Sequence, residues 1–226
     1  MNYLEFIRHY QYTHIPSALS QIYYLNNIFV NKLVKPYRDN IVLGKPFGHS
    51  AYYYIWDKLG YISPQKYADG VRHLEIDFVD FADVTIGNAL GVASGIEMGN
   101  GKMTYVNISD SQLQMGATLE AIQFIGRMGQ NIKLTIDYNG EQLTSGLLTD
   151  IEADTEFFRS NGWLVIQTDN ECIGMDYGFS LNGPVVVFVH TEKGEGIREI
   201  QSDFEKWHYR PIGDEEMTMT KELSEL

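Results

Sequence analysis

Residues 103–140 read MTYVNISDSQLQMGATLEAIQFIGRMGQNIKLTIDYNG and continue as EQLTSG to Gly146. Two short apolar runs, 103–108 and 132–136, each stop at a polar group, and the residues between them place apolar side chains at helical spacing. The pattern predicts a βαβ unit with polar groups at both strand ends. Ligands in open α/β sheets collect outside the carboxyl ends of the strands, which puts Asp110 and Asn139 on the expected binding edge. Two oxygen donors there suit a hard cation such as Mg²⁺, which fills the rest of its shell with water and phosphate oxygens. The same residues also suit local scaffolding, Asp110 capping the next helix and Asn139 turning with Gly140. Spacing leaves both readings open.

A chain of 226 residues, 44% of them hydrophobic, can bury one sizeable core, so a single α/β domain over 1–226 is the expectation. The net charge of -13 argues against nucleic acid, whose phosphates need clustered Lys and Arg. The single cysteine, Cys172, excludes an internal disulfide framework and reads as a small neutral thiol in a reducing compartment. No apolar run reaches bilayer-spanning length, and the opening MNYLEFIRHYQY lacks the pattern of a secretory signal. A cytoplasmic protein with no membrane association is expected.

Outward from the central unit, residues 3–12 predict a short aromatic helix, halted near Ile15-Pro16 because a residue before proline avoids the α region. Leu19, Ile22, Tyr23, Phe29, Val30 and Leu33 then follow helical spacing, with Ser17 or Ser20 as N-cap. Residues 41–43 form a short strand, and a Gly/Pro loop carries His49 into a helix over 50–59, where free backbone N–H groups suit an anion. HLEIDFVDF, 73–81, alternates like a short exposed strand. In 84–101 the small residues Gly87, Ala89, Gly91, Ala93, Ser94 and Gly95 are expected to admit a neighbouring backbone, offsetting the low helix propensity of glycine. Beyond the central unit come a helix over 152–160, a buried strand over 163–167, an irregular connection over 169–183 and a β-branched central parallel strand over 185–189. Thr191 and Lys193 follow that strand's carboxyl end, and 217–226 read as a terminal helix.

Several segments, in the same order, resemble the cofactor-binding N-terminal half of transketolases, above all the kind in which that half is a separate chain. HIPSALS (14–20) is similar to the family's GHPGGSLS, and RDNIVLGKPFGHS (38–50) to its RDRFVLSKGHA. IGNALGVASG (86–95) resembles LGQGLSVAVG, and SDSQLQMGATLEA (109–121) resembles the thiamine diphosphate signature GDGELQEGQVWEA. DYNGEQLTSG (137–146) is similar to DxNGLQIDG, and VHTEKGEGI (189–197) with WHY (207–209) to AKTxKGKGV and WHG. The collinearity runs from about His14 to His208 and carries the resemblance.

The resemblance implies a thiamine diphosphate-binding α/β fold with a mostly parallel sheet between helices. It further implies a separate pyrimidine-binding, C-terminal-type transketolase subunit, in a dimer or heterotetramer, with the cofactor at the interface. It assigns Mg²⁺ to Asp110, the Asn139 side chain and the backbone carbonyl of Glu141. Cofactor contacts would come from His49, Gly87, Asp110, Ser111, Asn139 and Glu141, and His14, His49 and His208 would serve catalysis on a small sugar substrate. The implied activity is transfer of a two-carbon ketol group between sugars. Departures point the other way. Ser109 and Ser111 replace glycines around the metal aspartate, Met115 replaces a glutamate that meets the partner subunit, and Val84 and Ala89 occupy glycine positions. A degenerate, non-catalytic binding or scaffold protein is the alternative that these changes imply.

Overall fold

Strands β3 (Thr104–Ser109) and β4 (Ile132–Tyr138) run parallel in the register Thr104↔Ile132 to Ser109↔Asp137, with helix α5 (Gly116–Met128) crossing between them. The βαβ unit anticipated from the sequence is therefore the middle of the sheet. A computed structural model describes residues 1–63, 76–142 and 146–213. Around the unit lie β1 (Asn40–Leu43), β2 (Phe81–Ala82), β5 (Leu164–Thr168) and β6 (Val185–His190). The order is β2-β1-β3-β4-β6-β5, and every neighbouring pair is parallel.

Parallel strands need helical crossovers, and these cover both faces of the sheet. On one face α1 (Tyr3–His9), α2 (Ile15–Val30), α3 (His49–Lys58), α7 (Met175–Ser180) and α8 (Arg198–Gln201) bury an aromatic-rich core that includes Tyr3, Phe6, Phe29 and Trp56. On the other, α4 (Ala89–Asn100), α5 and α6 (Ile151–Ser160) close over Ile122, Ile125, Leu134, Phe158 and Phe188. The central strands β4 and β6 are buried on both faces; β6 is accordingly an almost unbroken apolar, β-branched run, whereas β4 carries Lys133, Thr135 and Asp137 inward with their own hydrogen-bond partners. No helix among the described residues is long and apolar enough to cross a membrane.

Several expectations need correction. Neither Ser17 nor Ser20 caps α2: His14, in the left-handed region at φ 58, precedes it, and the Ser20 hydroxyl donates to Asp137 instead. The strand expected over 163–167 as buried is β5, at the sheet edge, where Leu164 is 39% exposed; Trp163 is buried but precedes it. The connection 169–183 contains the six-residue α7. Of the strand expected over 73–81, residues 73–75 lie outside the described residues, and only Phe81 is extended, in β2. The terminal helix expected over 217–226 also lies outside them.

The small residues of α4 divide. Ala89, Ala93 and Ser94 are buried, whereas Gly91 and Gly95 face open space, so neither admits a neighbouring backbone within the chain. Close approach falls elsewhere. A Cβ on Gly44 would lie 2.7 Å from Ile108 Cγ2, and one on Gly126 only 1.8 Å from the Asn161 carbonyl oxygen. Gly126 thus lets α5 rest directly on the turn that follows α6, where Trp163 Nε1 also donates to the Ile122 carbonyl at 2.9 Å.

One charged residue inside the sheet is unusual. Lys133, on β4, is fully buried, and its ammonium donates to Asn131 Oδ1 at 2.8 Å and to the Gly183 carbonyl at 2.6 Å, with no carboxylate paired to it among the described residues. Burial pulls its pKa down from 10.5 to about 8. In that window the unfolded chain holds a proton that the folded chain releases, so the native state is penalised most below about pH 8 and the penalty fades as pH rises toward the ordinary lysine value. The stability difference between Lys133→Met and the parent protein, measured by urea unfolding, should therefore shift in the parent's favour between about pH 8 and about pH 10.

Candidate functional site

The carboxylate of Asp110 sits just past the end of β3 and reaches across to the end of β4. Its Oδ2 accepts the backbone N–H groups of Asn139 at 2.9 Å and Gly140 at 2.8 Å, and its Oδ1 accepts that of Ser111 at 2.7 Å. Gly140, at φ 76, permits the turn that presents two successive N–H groups to one oxygen. Burial raises the Asp110 pKa, and the N–H groups of Gly140 and Asn139, with Lys45, oppose that rise. Asp110 does not cap α5, which begins behind Met115 with no side-chain cap. Instead it clamps the Asn139-Gly140 turn, so the turn expected from the sequence and the acidic residue form one feature.

This clamp borders a cavity of about 340 Å³. Ser111, Asn139, Glu141, Met115, Lys45, Lys193 and His208 also face it. Beneath it lies a buried ion pair that the sequence reading did not single out. The Lys45 ammonium donates to Asp137 Oδ2 and to Ser20 Oγ at 3.0 Å, while Asp137 Oδ1 accepts from Thr191. Burial draws the Lys45 pKa down to about 7, with Asp110 opposing and Lys193 adding to the fall. Lys193 donates to the Gln142 carbonyl at 2.7 Å and lies 4.6 Å above the Phe204 ring. A sequence signal for Asp137 did exist: it stands two residues before Asn139, and alternation along a strand puts such a pair on one side. Lys45 had none, because its partner is 92 positions away.

Two of the three candidate histidines come together. The rings of His14 and His208 meet edge to face at 4.5 Å, His14 stacks on Phe47, and the His14 N–H donates to the His208 carbonyl at 2.8 Å. His208 Nδ1 is buried with no hydrogen-bond partner among the described residues, and burial, then Lys193, lowers its pKa. His49 is placed apart from the cavity walls. Its Nδ1 lies 3.0 Å from the Pro46 carbonyl, and its ring packs edge-on against Tyr12 and Tyr53. Gly87, at φ 94, is also outside the wall: its N–H donates to Gln112 Oε1, and a Cβ there would strike Met115 Sδ at 2.7 Å. Ser109 and Ser111 share a hydroxyl contact of 2.8 Å, so part of the polarity that replaced the glycines is spent between them.

The donor set fits a hard cation. Asp110 Oδ1 and Asn139 Oδ1 each accept one N–H, the latter from Glu141 at 3.1 Å, so each oxygen retains a lone pair. The Glu141 carbonyl belongs to the same loop. Among the described residues there is no group of three or more His, Cys, Asp or Glu side chains able to hold a metal. A Mg²⁺ held here would take most of its shell from phosphate and water, as that ion commonly does.

Removal of Asp137 would strand the Lys45 ammonium in the interior. Asp137→Ala should cost roughly 3–5 kcal/mol in chemical denaturation, whereas removing both charges with Asp137→Leu and Lys45→Met should recover most of that loss.

No protein-family model and no curated protein sequence matches the chain. Solved structures do. The transketolase of Campylobacter jejuni subsp. jejuni superposes with a TM-score of 0.67 at 17% identity, over 95% of this chain and 42% of that one. A mutant transketolase from Pichia stipitis, in complex with xylulose 5-phosphate, gives 0.69 at 17% over 99% and 40%. That of Leishmania mexicana gives 0.64 at 15% over 92% and 40%. The chain therefore spans about two fifths of the length of the transketolases that it matches. At this level of identity the likeness is one of architecture: the all-parallel six-stranded sheet between two helical layers is a fold that the chain shares with part of those transketolases.

Proposed function

We propose that the chain is the diphosphate-binding component of a transketolase-type transferase that moves a two-carbon ketol group between small sugars or sugar phosphates. In this reading it binds thiamine diphosphate and Mg²⁺ and works with a separate pyrimidine-binding subunit, in a dimer or heterotetramer. The observation that carries the reading is the Asp110 clamp on the Asn139-Gly140 turn, set at adjacent strand ends over a cavity of about 340 Å³. Retaining the fold does not require a buried carboxylate that spends its oxygens on the next strand's loop.

Thiamine diphosphate, when bound, supplies the carbon centre at which a bond next to a carbonyl is broken and remade. This chain's residues hold and orient it. Asp110, Asn139 and the Glu141 carbonyl would hold Mg²⁺, Ser111 would offer a hydroxyl to a phosphate oxygen, and Lys193 would add positive charge. His208 lines the cavity, and burial, then Lys193, pushes it toward its neutral form, in which the ring would take a proton from a substrate oxygen. His14 Nδ1 lies 2.9 Å from the Thr13 hydroxyl, which fixes the ring against His208.

The test is thermal melting with and without Mg²⁺ plus thiamine diphosphate. Ligand at ~100 times its dissociation constant should stabilise the chain by roughly 2.7 kcal/mol, and Asp110→Ala should abolish the shift. A parent protein whose melting is unmoved by the pair of ligands would remove the catalytic reading.

A further inference from the structure

A second cavity of about 340 Å³ lies at the other end of the strands. Met103 and Asn131, which lie just before β3 and β4, help to line it, so it is separated from the Asp110 cavity by the length of a strand, on the order of 20 Å. Its chemistry differs from that of the rest of the surface. Lys32, Lys35 and Arg38, all from the connection between α2 and β1, face it in a chain of net charge -13. Neither lysine ammonium forms an ion pair among the described residues, and Arg38 reaches Asp39 only at 3.6 Å. The two carboxylates on the wall are Asp39, which is occupied by the Lys35 N–H at 2.8 Å, and the exposed Asp176.

A second observation concerns the amide on the wall. The buried Lys133 ammonium holds Asn131 Oδ1 at 2.8 Å, which fixes the amide and leaves its NH₂ as the group free to donate. Asn131 lines the cavity, and its Nδ2 donates to nothing among the described residues. The fixed donor and the three cations form the polar side, while Leu33, Met103 and Phe179 form an apolar one. Counting Lys133 behind the wall, four cations stand against two carboxylates. Several positive point charges around one oriented amide suit a multiply charged oxyanion, and the apolar side suits a carbon skeleton attached to it.

We infer that this cavity is a second ligand site, for a small organic phosphate, independent of the site at the strands' carboxyl ends. The phosphate lies among Lys32, Lys35, Arg38 and the Asn131 amide.

Amide NMR of the isotope-labelled full chain, titrated with inorganic pyrophosphate, tests this with residue resolution. Saturable shifts are expected at Lys35, Arg38, Asn131 and Asn182, and they should persist in a Lys193→Gln variant that weakens any binding at the Asp110 cavity. The double variant K32Q/R38Q should raise the dissociation constant for these shifts about tenfold or more. Asn131→Asp gives Lys133 a carboxylate, so it should fold, and its added negative charge should abolish the same shifts. Shifts confined to Ser111, Asn139 and their neighbours, or an affinity unchanged in K32Q/R38Q or Asn131→Asp, would overturn the assignment. So would the absence of any saturable change at millimolar pyrophosphate.

Discussion

A single carboxylate ties the two middle strands together where they leave the sheet. Asp110 accepts three backbone N–H groups, two of them from the loop after β4. Hydrogen bonds to an ionised acceptor are stronger than neutral ones, and here they fix the first two residues of that loop. Everything at that end of the molecule takes its position from this arrangement. The Asn139 side chain is aimed by the turn, Glu141 follows it, and the cavity between them and the helix α5 start is kept open.

Below the clamp, the Lys45–Asp137 pair, with Ser20 and Thr191, joins α2, the loop after β1, β4 and the segment after β6. Such a pair adds little to stability over an apolar equivalent, but once present it cannot lose one member cheaply. Its placement beneath a polar cavity suggests why it is there: it binds four separate pieces of chain into one floor.

Strands β1, β3, β4 and β6 were legible in the sequence as short runs built around apolar residues, whereas β2 keeps only Phe81 of the strand expected over 73–81. The position of Asp110 and Asn139 followed from the same logic. Other features depend on distances in space that no local pattern records. Residues 163–167 look buried in sequence, yet β5 is the last strand of the sheet, so one side is bare. The pairing of Lys45 with Asp137 and the meeting of His14 with His208 join residues far apart in the chain. The left-handed turn at His14 hides the true start of α2 from a search for a capping serine. His49 sits in the expected motif but is drawn into the tyrosine cluster of Tyr12 and Tyr53 rather than toward the cavity.

The contact at Gly126 has a reach beyond its own surroundings. It lies near one end of a rigid rod whose opposite end, ten residues or ~15 Å away, abuts Met115 on the cavity wall. A methyl group added at 126 has no room against the Asn161 carbonyl, so either α5 or the turn after α6 must shift. Wherever α5 is the part that yields, Met115 travels with it, so a chemically silent position near the other end of the helix bears on the shape of the cavity wall.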